Sequence, residues 1–245
     1  MSKKGQIVLY AIILVLIVLA GFLTFRIIST GQPTQPIKLD INSVKIFIDS
    51  CVENTAEESL LYIGLKGGYS ELPDLSTEGA ISIPYYLYEG QNLAPNKSFI
   101  QNELNKYMDS QLFFCLLDLD LYREIGFEIE SSPPTTSSFI TNNKVIFNIN
   151  FPLEISKGDQ TQTLNRFKTE VPVRLGKIIN FNNKTIHRQK PDKICISCIV
   201  DEAIENDLYV SMSNYDNSTY LVSIFDKNST INNLEYMFVY AYKLK

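Results

Sequence analysis

Four cysteines and one histidine carry most of the chemistry open to this chain. Cys195 and Cys198 form a C-x-x-C just after Pro191-Asp192. With Asp192 as N-cap, Cys195 falls at the third helical position, where unpaired N–H groups and the helix dipole stabilise a thiolate. That is the setting of a redox dithiol; a local structural disulfide or two reduced core cysteines are the alternatives. No aromatic residue or proline lies inside or beside the pair. Cys51 and Cys115 each fall on the apolar stripe of a predicted helix and can meet across a helix pair. Four cysteines allow three pairings, of which Cys51–Cys115 with Cys195–Cys198 fits this arrangement best. A four-cysteine zinc site has enough ligands, but Cys51 and Cys115 lack the short spacing of a knuckle, so no metal is expected.

The remaining polar candidates are weaker. His187 stands beside Arg188 and near Lys190 in a polar segment and reads as a solvated residue, because no G-x-S-x-G or comparable nucleophile motif accompanies it. Asp118-x-Asp120 has the form of the metal-binding pair of sugar-nucleotide transferases, but its surroundings, Leu-Leu-Asp-Leu-Asp-Leu, read as a helix end. Glu57-Glu58 and Asp201-Glu202 read as solvated helix faces. Neither G-x-G-x-x-G nor G-x-x-x-x-G-K-[ST] occurs, so nucleotide binding is disfavoured and no cofactor is expected. Tyr85, Tyr86 and Tyr88 follow Pro84; on a loop they would form a recognition surface, but packing on a sheet is the stronger reading.

The elements that must position these residues belong to a folded chain: 245 residues, 45% hydrophobic and 20% charged. With 22 basic and 27 acidic side chains the net charge is -5, which leaves no cationic excess for a nucleic-acid backbone. Residues 7–25, IVLYAIILVLIVLAGFLTF, are uncharged, and 19 residues at about 1.5 Å each span the ~30 Å of bilayer hydrocarbon. No polar stripe of helical period marks this run as a core helix. Lys3 and Lys4 precede it and Arg26 follows, which favours a cytoplasmic N-terminus with the remaining residues outside. The run exceeds a secretory h-region and no A-x-A-like site follows, so an uncleaved single-pass anchor is preferred.

Lys3-Lys4-Gly5-Gln6, directly before the run, resembles an archaeal class III leader, the type found on type IV pilins and archaellins. The resemblance implies cleavage between Gly5 and Gln6 by a membrane peptidase on the cytoplasmic side, leaving the helix attached. The fifth residue after the cut, a glutamate in bacterial pilins, is here Tyr10.

Two further signs agree with an external compartment. N-x-S/T sequons occur at Asn96, Asn183, Asn217 and Asn228, all on the side the anchor makes external, with Asn217 and Asn228 bracketing a predicted strand. An even cysteine count in an external domain reads as disulfides.

The sequence divides into a leader (1–5), a membrane helix (6–30), a linker (31–40) containing GQPTQP, and an extracytoplasmic domain (41–245) that could subdivide near 126 or 175. Ile41, Val44, Ile48, Val52, Ala56, Leu60 and Ile63 mark an amphipathic helix of 24 residues or so, closed by Lys66 and Gly67-Gly68. A second helix, opened by a capping box Ser98-x-x-Gln101, carries Ile100, Leu104, Met108, Leu112 and Cys115. An extended piece over 81–88 lies between them. Strands are predicted at 127–131, 139–141, 144–155 and 161–174 as an antiparallel meander, then helices at 175–187 and 192–205, then strands at 208–213, 219–226 and 234–242. Blocks of helices and strands indicate an α+β fold: an N-terminal transmembrane helix followed by packed amphipathic helices and an antiparallel sheet.

The leader, Cys51, Gly67-Gly68-Tyr69, Cys115, Val173-Arg174-Leu175-Gly176-Lys177 and Ile194-Cys195 with Cys198 together resemble a group of uncharacterised single-pass surface proteins encoded by nano-sized archaea. The expected role is a cell-envelope surface protein that binds or assembles and does not catalyse. Its partners would be the bilayer through residues 7–25 and an envelope protein or a second copy of itself. Two other roles fit less well: a pilin-like filament subunit, and a membrane-tethered thiol-disulfide oxidoreductase using Cys195 and Cys198.

Overall fold

Asp40 opens helix α1 (Ile41–Leu65) by a reciprocal cap: its carboxylate accepts the Ser43 amide and the Ser43 hydroxyl accepts the Asp40 amide, each at 3.1 Å. The computed structural model describes residues 40–79 and 81–245. Gly5, Gln6 and the apolar run 7–25 lie outside the described residues; among the described residues no helix is long and apolar enough to cross a membrane. All seven stripe positions of α1 are buried, and the helix ends at Lys66 before Gly67, whose φ of 56° allows the chain to turn. Helix α1 packs against helix α2 (Lys97–Leu116) and against strands of two sheets.

Helix α2 begins two residues earlier than the S-x-x-Q signal suggests. Asn96 is its N-cap, accepting the Phe99 amide at 2.9 Å, which places Ser98 inside the first turn. Gln101 is occupied elsewhere: its side chain donates to the Ser138 carbonyl at 2.6 Å, while Asn105 accepts the Ser138 amide at 2.8 Å. One turn apart on α2, these two amides satisfy the outer edge of a strand that would otherwise present free backbone groups. A short helix α3 (Leu119–Glu124) follows.

The first sheet is mixed. Strands β1 (Tyr85–Tyr88) and β2 (Gln91–Asn92) precede α2, and β7 (Tyr209–Asn214), β8 (Thr219–Ile231) and β9 (Leu234–Lys243) close the chain, in the order β2-β1-β9-β8-β7. β1 runs parallel to β9, a pairing that local periodicity does not reveal. Tyr85 and Tyr86 are buried there, Tyr86 stacking on Tyr240 with ring centroids 4.2 Å apart, so this cluster packs on a sheet and offers no recognition loop. Burial pushes the Tyr86 and Tyr240 phenols well up, and Tyr242 up to about 12. Gly64 permits the close approach of α1 to this sheet, since a Cβ there would lie 2.5 Å from the Met237 carbonyl oxygen.

The second sheet comprises β3 (Glu128–Ser131), β4 (Thr135–Ile140), β5 (Val145–Lys157) and β6 (Gln160–Val171). β4, β5 and β6 follow the expected meander, but β3 does not pair with β4. It pairs with residues 153–156 of β5, end to end with β4 on the same edge. Pro133-Pro134 separates the two strands and supplies no amide to continue a ladder, so the chain shifts along β5 instead of reversing beside β3. Positions 126 and 175, flanking this sheet, both fall inside one compact unit, 40–245. The described domain is thus α+β, with α1 against β5 and β6 of one sheet and β9 of the other.

Helices α4 (Leu175–Ile186) and α5 (Ile196–Glu205) connect the sheets, and the junction is held by a buried ion pair. Arg174, just before α4, sends Nε to Asp226 at 2.9 and 3.2 Å and a second nitrogen to the same carboxylate, with a further bond to the Asp207 carbonyl. Its backbone amide donates to the Ser229 hydroxyl at 2.9 Å. β8 bulges between Asp226 and Thr230 to form this receptor, and therefore continues past 226 to Ile231. Burial alone would push the Asp226 carboxyl up; hydrogen bonds from Arg174, Ser229 and the Asn228 amide outweigh it and hold the carboxyl below its ordinary value. The stability this confers is present above the unfolded-state pKa and is lost as pH falls through the lowered folded value. Replacing Arg174 with Leu strands the buried carboxylate and should cost about 3–5 kcal/mol in urea unfolding. The double variant Arg174→Leu/Asp226→Leu should recover much of that loss, and a cost of under about 1 kcal/mol for the single variant would contradict this role.

Candidate functional site

The two cysteine pairs are oxidised as expected, and they differ in setting. Cys51 on α1 and Cys115 on α2 lie with Cα atoms 5.9 Å apart; Cys51 is buried. Cys195 and Cys198, Cα atoms 5.3 Å apart, are both half-buried at the start of α5. The described residues hold no free cysteine and no group of acidic, His or Cys side chains arranged for a metal.

Helix α5 starts later than the Asp192 signal predicts. Cys195 is its N-cap and Cys198 its third residue, because residues 190–193 form a turn closed by a Lys190–Lys193 bridge. Gln189 fixes this turn: its side chain accepts the Cys195 amide at 2.8 Å and donates to the Thr185 carbonyl at 2.8 Å, tying the disulfide to the C-terminus of α4. The Cys195 sulfur lies 3.6 Å from the Ser197 hydroxyl. A thiolate released at Cys195 would face the first free N–H groups of α5, the same stabilisation that the earlier helix start implied, now acting from the cap.

Helix α5 is apolar on two sides. Ile199 and Ala203 face the core, while Ile196, Val200 and Ile204, four residues apart, are 64%, 47% and 71% exposed. Together with Tyr209 and Met212 of β7, the outermost strand of its sheet, they line a groove of about 420 Å³ that starts beside the disulfide. A helix apolar on more than one face is legible in the sequence as two interleaved stripes, but only the inner stripe is needed to explain the fold.

The other candidates lie apart from this groove's chemistry. His187 is the exposed C-cap of α4. Glu202 departs from the solvated reading: it is 3% exposed and accepts from Lys184 at 2.7 Å and Asn206 at 3.0 Å, joining α4 to α5. That bond pushes the Lys184 ammonium up. Asp201 is exposed; Glu57 is half-buried, and Glu58, on the solvent side of α1, accepts the Tyr107 hydroxyl at 3.0 Å. Asp118 and Asp120 sit at the start of α3, Asp120 paired with Arg123, a helix end as read. The sequon asparagines are all exposed: Asn96 at the α2 cap, Asn183 on α4, Asn217 in the β7–β8 turn, and Asn228 inside β8, on its bulge and not in a loop.

No family model matches this chain, and neither a curated protein nor a solved structure does.

In the chain-entropy picture the Cys51–Cys115 bond, closing a separation of 64 residues, is worth about 4 kcal/mol and the Cys195–Cys198 bond, separated by 3, about 2 kcal/mol. Urea unfolding of Cys51→Ala/Cys115→Ala should therefore show roughly twice the loss of Cys195→Ala/Cys198→Ala; the reverse order would make the C-x-x-C bond the principal staple.

Proposed function

We propose that this chain is a single-pass cell-envelope surface protein. Residues 7–25 anchor it in the bilayer with the N-terminus cytoplasmic, and the α+β domain lies outside, where it binds or assembles and does not catalyse. The observation that carries the reading is the uncharged run of 19 residues ahead of a domain whose four cysteines are all in disulfides. Disulfides persist in oxidising compartments, and exposed sequon asparagines suit the same side of the membrane. The class III leader resemblance adds cleavage between Gly5 and Gln6. Two prolines in the sequence between anchor and domain, Pro33 and Pro36, are unfavourable in a helix interior, which disfavours a pilin-like filament, whose polymerisation core is a continuous helix.

A second reading, a tethered thiol-disulfide oxidoreductase, is favoured by one observation: the half-buried Cys195–Cys198 bond adjoins Ile196 and Ile199, which line an apolar groove of a size to seat an extended polypeptide. Mild reduction should expose Cys195 and Cys198 to an alkylating probe before Cys51 and Cys115. A pair that stays unreactive under those conditions removes the redox reading.

Intact-mass analysis of the membrane-extracted protein tests the main reading. The expected result is a mass lacking residues 1–5 and carrying glycan, with alkylation at all four cysteines only after reduction. Alkylation of all four without reductant would place the domain in a reducing compartment.

A further inference from the structure

The open face of the second sheet carries residues that its fold does not require. Strand β5 is central there, and its inward side chains are Val145, Phe147, Ile149 and Phe151, all buried. On the outward side stand Asn148 and Asn150, both exposed, within the apolar stretch 145–153 of the strand. Asparagine is among the poorer strand formers, so two of them at this point are a cost to the sheet.

Register arranges their neighbours in rows. Asn150 lies between Thr135 and Arg166, and Asn148 between Ser137 and Lys168. At about 4.8 Å between strands and roughly 7 Å between alternate residues, two amides, two hydroxyls and two cations share a field roughly 10 Å across. β5 departs from regular register between Asn150 and Leu153, and a bulge of this kind bends and twists the strand locally at the border of the field. The cavity over these rows measures about 550 Å³. In the next row stand Phe139, 52% exposed, and Glu170.

The charges are unequal. Lys168 lies 2.6 Å from Glu170, which also pairs with Lys144, whereas Arg166 has no partner among the described residues. A free guanidinium at one end matches a carboxylate bidentately. Amides and hydroxyls along the middle offer donors and acceptors together, as sugar hydroxyls require. An exposed aromatic ring offers an apolar surface for the C–H face of a sugar ring. A phosphate chain fits less well, because the middle of the field offers neutral amides and hydroxyls, which suit sugar hydroxyls, and only one unpaired cation.

We propose that this face binds an acidic oligosaccharide, a uronic-acid-type chain whose carboxylate sits on Arg166 and whose hydroxyls are read by Asn148, Asn150, Thr135 and Ser137. The proposal goes beyond the anchoring reading and does not depend on it, since binding is measured on the detergent-extracted full chain whichever compartment it came from. Titration calorimetry with tri-galacturonic acid should give saturable binding, with maltotriose, its neutral counterpart, and inorganic tripolyphosphate at least tenfold weaker. Arg166→Gln should weaken tri-galacturonate binding about tenfold or more, the worth of a charge-assisted hydrogen bond. Asn150→Asp, which sets a carboxylate beside the ligand's own, should weaken it similarly. Both side chains are solvent-facing, so thermal unfolding of the variants should match the parent. No saturable binding of tri-galacturonate, or unchanged binding by Arg166→Gln, overturns the proposal. So does tripolyphosphate binding as tightly, which would mean general attraction of polyanions, or maltotriose binding as tightly, which would mean the acid is not read.

Discussion

Helix α1 has more apolar surface than one partner can cover: eleven of its 25 residues are buried. The fold meets this demand by placing α1 against β5 and β6 of one sheet, β9 of the other, and α2. Each of those elements in turn carries others, so the burial of α1 sets where both sheets can stand. Gly64 is needed because β9 comes within contact distance of the helix backbone, and the Cys51–Cys115 bond fixes α2 antiparallel to α1. The same antiparallel course shows in Tyr107 of α2 on Glu58 and continues into α3, where Tyr122 reaches the Ser43 carbonyl. A helix that serves two sheets cannot be lost piecemeal, which favours a cooperative unit spanning 40–245.

The two sheets also meet through charge. Arg174 leaves the end of the second sheet and enters a receptor made by the β8 bulge of the first. A buried ion pair adds little net stability over an apolar contact, but it is intolerant of a missing partner, so it specifies which strand end meets which helix start. Gly176, the second residue of α4, lets that helix pass against the Thr141 carbonyl, 2.5 Å from where a Cβ would stand. From this junction α4 and α5 carry the chain to the C-x-x-C, and Gln189 binds the disulfide back to α4. The candidate site is therefore positioned by the sheet junction and not by its own helix alone.

Local periodicity made much of this readable. The α1 stripe and the β4–β5–β6 meander follow from residue spacing, and of the three possible cysteine pairings the spacing favours the one observed, because each depends on near neighbours or on one simple helix–helix contact. Features that depend on distant partners were not readable. The parallel β1–β9 pairing joins residues more than 150 positions apart. Glu202 looks like a solvent-facing acid until Lys184 and Asn206 are seen around it. Asn96 outcompetes Ser98 as a cap because Gln101, the other half of the apparent box, is drawn to the edge of β4. Arg174 stood out in the sequence only as part of a short shared run; its partner lies 52 residues on, and nothing local marks Asp226. The groove beside the disulfide was legible in principle, as a second stripe on α5, but burial of that stripe is not required by the fold.

The account's central claim is that residues 7–25 hold this oxidised α+β domain outside the cell. A protease added to intact cells tests it most directly. The claim predicts that the domain is cleaved from whole cells, leaving a membrane-protected N-terminal fragment. A domain that survives in intact cells and is degraded only after lysis would contradict it.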